Sequence, residues 1–218
     1  MNVSRPRKTA SLEHEQALWG RGYRRVYGFD EAGRGAWAGP VVAAAVCLSP
    51  DDPDLSAKLI GVHDSKQLTR IGREYLVERV QAGALVCGVG SADQFEIDEF
   101  GIVPATKLAM RRALDVTGQS PHFPPDHFLL DALKFDWENV PYLSLIRGDQ
   151  RSLTIAAASI LAKVHRDRLM IALDGQYPNY GFALHKGYGT PQHQRALLEH
   201  GVAPIHRMSF APLRATLL

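Results

Sequence analysis

Two cysteines in 218 residues are too few for a disulfide framework, and both, Cys47 and Cys87, lie in apolar, strand-like runs. They are expected to be reduced core thiols. No apolar run approaches the roughly 20 residues that a membrane-crossing helix needs. The basic residues Arg5, Arg7 and Lys8 are not followed by the apolar stretch of a secretory signal. A cytoplasmic protein with no membrane partner is therefore expected. There is no Gly-Lys-Ser/Thr and no long glycine loop, which weakens a nucleotide-binding reading of the glycines at 33–35. His165, His185, His193 and His206 lack the spacing of zinc ligands. They are expected at the surface or in the core, with His185 the one candidate site member. No repeat and no linker marks a second full domain.

Net charge is also scarce, at +2, but it is unevenly spread. Residues 1–25 carry six Lys/Arg against two Asp/Glu, 26–140 carry ten against seventeen, and 141–218 carry nine against four. An acidic middle between basic flanks suits a metal site that must accept a polyanion, although surface charge also varies this much without a role. Hydrophobic content of 45% is that of an ordinary soluble globular protein with one good core.

The pattern of apolar residues predicts strands at 26–29, 41–48, 84–91, 127–133 and 142–147. Helices are expected at 11–19 with Ser11 as N-cap, at 69–81 with Ile71, Tyr75, Leu76 and Val80 inward, at 104–116, at 152–174 and at 191–199, with a short helical turn at 91–99. Segments 49–56 and 180–189 read as loops, and residues from 201 onward as irregular. Three consecutive strands followed by strands alternating with helices argue for an α/β fold. A five-stranded mixed sheet with helices on both faces is expected, plus a small C-terminal helical or irregular segment. Residues 1–22 are expected to be a basic tail and short helix, and 23–218 a single domain.

The chain is organised around Val26–Leu48, VYGFDEAGRGAWAGPVVAAAVCL. Two apolar strands flank Asp30-Glu31 and a Gly33-Arg34-Gly35 turn. An Asp-Glu pair at a strand end is ordinarily a solvated turn, and Gly-x-Gly is ordinarily only a turn. Carboxylates at the end of a core strand are costly unless a cation compensates them. Adjacent strand residues face opposite ways, so Asp30 and Glu31 meet one site only if the strand bends or ends at Glu31.

Asp131 and Asp149 lie at the ends of two further predicted strands, where sites of α/β sheets gather. Taken singly, Asp131 could as well cap a strand and Asp149 a turn. Together with Asp30 and Glu31 they make a four-carboxylate cluster. Its oxygen-only ligands suit Mg²⁺ or Mn²⁺, in the two-metal arrangement used for phosphoryl displacement by water. Tyr188, between Gly187 and Gly189 and next to Lys186, could stack on a sugar or base, or simply cap the core. Lys66 and Lys163 are phosphate candidates, though isolated lysines are ordinarily solvated charges.

The opening string, together with Asp64-Ser65-Lys66-Gln67-Leu68, Leu130-Asp131, Gly148-Asp149, Ala157–Asp167, His185–Thr190 and His206–Phe210, resembles the bacterial ribonuclease HII family of type 2 ribonucleases H, in order and over most of the chain. The resemblance implies a ribonuclease H-like fold and a catalytic, metal-binding set of Asp30, Glu31, Asp131 and Asp149. It implies that Gly33, Arg34 and Gly35 read the RNA–DNA step, that Tyr188 meets the junction sugar, and that Ser65, Lys66, Ser159, Lys163 and Lys186 contact substrate, helped by a C-terminal substrate-binding segment. Two departures stand out. Ala132 follows Asp131 where the family often has Gly, and Ala36-Trp37 replaces Pro-Leu or Cys-Leu.

The implied activity is endonucleolytic: cutting RNA in RNA–DNA hybrids, and cutting 5′ of single ribonucleotides in duplex DNA by a monomer with two divalent ions. The products would carry 3′-hydroxyl and 5′-phosphate ends. The sister enzyme ribonuclease HIII is the nearest alternative; it usually carries an N-terminal binding domain, for which 25 residues are too few, and lacks the Arg of Gly-Arg-Gly. A nucleic-acid-binding module with a dead site is the other alternative.

Overall fold

The computed structural model describes residues 10–63, 65, 68–118, 124–134 and 139–214. The elements run α1 (Glu13–Trp19), β1 (Val26–Ala32), β2 (Val41–Leu48), α2 (Leu55–Lys58), α3 (Arg70–Gly83), β3 (Ala84–Ala92), α4 (Gln94–Phe100), α5 (Ile102–Gly118), β4 (His127–Asp131), β5 (Tyr142–Leu145), a 3-10 turn (Gly148–Gln150), α6 (Leu153–Gln176), α7 (Phe182–His185), α8 (Pro191–His200) and α9 (Ala211–Arg214). The strands form one mixed sheet in the order β3-β2-β1-β4-β5. β1 pairs in parallel with β4, and β4 in parallel with β5. The C-terminal ends of these three strands therefore point the same way.

The chain divides into two compact units. The first comprises 1–30, 45–87 and 117–160. Its α6 segment is small and apolar, and residues 152–160 are all buried. Gly28 of β1 lets that helix come close, because a Cβ there would lie 2.6 Å from the Thr154 carbonyl carbon. Leu18, Val26, Leu129, Leu145 and Ile155 form a core cluster against which Trp19 packs. Glu13 and Glu15 were natural partners for the positive end of their own helix, but Glu15 serves another. Its buried Oε1 accepts from the Ser152 hydroxyl at 2.6 Å and from Thr154 N–H at 2.8 Å, so α1 caps the start of α6.

The second unit comprises 31–44, 88–116 and 161–218. Ala38, Met170, Tyr180, Phe182, Ala196, Leu197, Ile205 and Leu213 make its core. The C-terminal segment is tied down by Asp98, which accepts from Met208 N–H and Ser209 N–H, both at 2.8 Å.

Several sequence expectations need correction. Ser11 is not the cap of α1; the cap position is Leu12, without a side-chain bond. The inward residues of α3 are Leu76, Val77 and Val80, whereas Ile71 and Tyr75 are exposed. The apolar stripe there is short, and local periodicity placed its centre one turn too early. Loop 180–189 contains α7, and the polar stretch 49–56 gives way to α2. β1 continues through Glu31 to Ala32.

Candidate active site

Parallel register builds the site. Phe29 pairs with Leu130, which brings Asp30 and Asp131 to the same level of neighbouring strands; Asp131 in turn pairs with Leu145 of β5. The chain leaves β5 through Arg147, which is left-handed at φ 55°, into the 3-10 turn that carries Asp149. Asp149 thus sits just beyond the strand end. Gly148 has no room for a side chain: a Cβ would lie 2.7 Å from Ile155 Cδ1. Its N–H donates to Asp131 Oδ1 at 2.7 Å and orients that carboxylate. Ala132 adopts φ 47°, a left-handed conformation that glycine enters without strain.

Carboxylate oxygens of Asp30, Asp131 and Asp149 lie within 4.8 Å of one another, with Asp30 and Asp149 buried. Like charges this close repel, and burial adds a desolvation cost to the ionised forms. Hard divalent cations remove both, and an all-oxygen donor set fits Mg²⁺ or Mn²⁺. Glu31 does not belong to this convergent trio. β1 runs on through Glu31 to Ala32. Glu31 Oε1 accepts from Arg34 Nη1 at 3.1 Å.

Among the other sequence-predicted residues, Gly33 is left-handed at φ 92° and lies flat against Arg166: a Cβ there would fall 1.8 Å from Nε. At Gly35 a Cβ would meet nothing within 4 Å, so that position opens outward. Tyr188 is 38% exposed, with the Arg166 guanidinium 5.5 Å from its ring centroid. Lys186 is left-handed and its Nζ bonds the Ala183 carbonyl. Lys163 Nζ bonds Asp167 Oδ1 at 2.7 Å. Ser65 and Ser159 are buried and share one hydrogen bond, Oγ to Oγ, at 2.8 Å. Lys66 lies outside the described residues.

Sequence reasoning missed two buried arginines. Arg166 and Arg207 are both fully buried. Arg207 donates through Nε to Gly39 O at 2.9 Å and through Nη1 to Arg34 O at 3.0 Å. Burial, then the nearby Arg166, pushes the Arg207 guanidinium down to about 9. Both residues lie inside the family-like runs, but arginine ordinarily reads as surface, so nothing local announced them.

Three histidines were missed as a group as well. His185 and His193 stack at 4.5 Å, and His193 Nε2 meets His206 Nε2 at 3.0 Å. His206 Nδ1 lies 2.8 Å from Ala203 N and 3.0 Å from Ala203 O, so the direction of the chain is set from its other end, where a carbonyl can only accept. His193 Nδ1–H then donates to Tyr188 O at 3.1 Å. Desolvation lowers all three below the usual histidine range, His193 to about 4. Trp37, the second departure, packs on His193 and takes the space that a side chain at Gly189 would need.

Among the described residues, no helix is long and apolar enough to cross a membrane. A family model described as Ribonuclease HII matches residues 27–213. A relative named Ribonuclease HII in Chloroflexus aurantiacus is 52% identical over 95% of each chain. Another of that name in Chloroflexus aggregans is 54% identical over 93% of each. The crystal structure of the ribonuclease H2 from Pyrococcus horikoshii OT3 superposes with a TM-score of 0.72 at 25% identity, covering 88% of this chain and 96% of that one.

Proposed function

Because the chain belongs to the ribonuclease HII family, we propose that it hydrolyses the RNA strand of RNA–DNA hybrids and cuts duplex DNA on the 5′ side of a single embedded ribonucleotide. The products carry a 3′-hydroxyl on the DNA and a 5′-phosphate on the ribonucleotide. The observation that supports this reading most is the convergence of Asp30, Asp131 and Asp149 at one end of three parallel strands.

In this reading the trio holds divalent ions, with Glu31 as the fourth carboxylate, next in the chain to Asp30. When bound, such ions supply an activated water and stabilise the departing 3′-oxygen. The protein's own residues select the bond. The ribose 2′-hydroxyl is the one group that marks a ribonucleotide in otherwise similar backbone. Backbone amides at 33–35 approach it, with no side chain at the outward-opening Gly35 to stand in the way, and Arg34 meets phosphate. Tyr188 presents its half-exposed ring to the neighbouring deoxyribose, where a hydroxyl would fit poorly. Lys163, Lys186 and Lys66 add phosphate contacts. Ser65 and Ser159 act as a pair, one donating to the other and leaving one hydroxyl proton for a phosphate oxygen.

The test is cleavage of a duplex with one embedded ribonucleotide, with and without Mg²⁺, followed by end-group analysis. Metal-dependent cutting 5′ of the ribonucleotide is expected. A 2′,3′-cyclic phosphate, or equal cutting of an all-DNA duplex, would overturn the proposal.

A further inference from the structure

We infer that Arg166 is the positioning residue that sets the spacing between the two substrate-reading elements, the turn at 33–35 and the ring of Tyr188. The inference rests on the reading given under Proposed function, in which those elements meet adjacent sugars.

Arg166 leaves α6 and is fully buried. Its Nε donates to Pro40 O at 2.9 Å and its Nη2 to Ala38 O at 3.1 Å, both in the segment that follows Gly33-Arg34-Gly35. Its Nη1 donates to Lys186 O at 2.9 Å, in the segment that carries Tyr188. The same guanidinium lies 5.5 Å from the Tyr188 ring centroid. Its Nε and Cδ occupy the space next to Gly33, where a Cβ would fall at 1.8 and 2.4 Å. One planar group therefore bonds both segments and touches a reading residue in each.

Only arginine fits this role. A guanidinium donates in several fixed, coplanar directions, whereas an ammonium is a compact point charge on a flexible stem. Burying a cation carries a desolvation cost that an apolar side chain of similar volume avoids. Methionine would fill the same volume but leave the carbonyls of Ala38, Pro40 and Lys186 without this donor. Gly33, left-handed at φ 92°, leaves room for the guanidinium that a side chain there would take. Gly187, also left-handed, admits the other segment: a Cβ there would lie 2.5 Å from Ala38 O.

Fixed spacing matters unequally for the two substrates. At a lone ribonucleotide, only one step of the duplex places a ribose on one element and a deoxyribose on the other. A long hybrid offers many riboses in succession, so a loosened pair of elements still finds a cleavable register. Loss of Arg166 should therefore lower cleavage of the single-ribonucleotide duplex more than cleavage of the hybrid.

The experiment compares full-length wild type, Arg166→Met and Arg166→Lys on both substrates under single-turnover conditions with Mg²⁺, after thermal unfolding has shown which variants fold. A fall of tenfold or more in the single-ribonucleotide rate, with the hybrid rate within threefold of wild type, is expected for Arg166→Met. Arg166→Lys should not rescue it, and carries the comparison alone if the methionine variant does not fold. Gly33→Ala, which displaces the same guanidinium, should add little to Arg166→Met. A folded variant whose two rates fall by the same factor, or do not fall, overturns the inference. Failure of wild type to cut the embedded ribonucleotide overturns the underlying reading instead, whatever the variants do.

Discussion

Acidification should unfold this protein through the histidine chain beneath Tyr188, and the size of the effect follows from the bonding. His193 is fully buried and takes part in two hydrogen bonds as a neutral ring, accepting at Nε2 from His206 and donating at Nδ1 to Tyr188 O. A second proton on His193 would face the Nε2–H of His206 and break that bond. Burial above all, and then the neighbouring histidines, hold the folded ring near 4, against 6.5 for a free histidine. The sign is that of a depressed folded value. Above about pH 6.5 neither state is protonated and the full stability is present; as pH falls, the unfolded chain takes up the proton and the folded one does not.

This ring alone should cost up to about 1.4 kcal/mol per pH unit within that window, and about 3 kcal/mol by pH 4. His185 and His206, lowered in the same direction, add to the loss. Urea unfolding from pH 7 to 4.5 measures the slope, with His193→Gln as the comparison. Glutamine keeps an acceptor and a donor but does not titrate, so its stability at pH 7 should drop only modestly while its slope flattens. Equal slopes in the two proteins would refute the assignment of neutral tautomers.

Asp30→Asn should abolish cleavage while its melting temperature holds or rises, because one of three mutually repelling carboxylates is gone. Mn²⁺ at 100 times its Kd should stabilise wild type by about 2.7 kcal/mol and the variant by far less; equal stabilisation would contradict the metal site. Ala132→Gly should relieve the left-handed strain of about 1–2 kcal/mol, less the extra freedom of glycine in the unfolded chain, for a net gain of about 0.5–1 kcal/mol. Calorimetry reads this as a melting temperature higher by a few degrees, and a lower one would count against it. Gly28→Ala should destabilise by about 1–3 kcal/mol, since its Cβ would strike backbone atoms of Thr154 and Ile155 that cannot yield; an unchanged urea midpoint would show that α6 can move away.

The elements were largely legible in the chain because their signals are local. Val41–Leu48 is an unbroken apolar run and forms a strand with those same bounds. Thr69 caps α3 by accepting from Gly72 N–H, as its position suggests. Asp30, Asp131 and Asp149 were legible as a group because each stands near a strand end, and parallel pairing carries such ends to one place. What sequence could not decide was which distant group each polar side chain would meet. Glu15 reaches α6 rather than its own helix end, and Glu31 pairs with Arg34. Arg166 and Arg207 vanish into the interior, where backbone carbonyls replace the water that arginine otherwise holds. Burial of a polar group is tolerable only when partners from elsewhere in the chain arrive with the right geometry, and that arrival is a property of the folded tertiary structure.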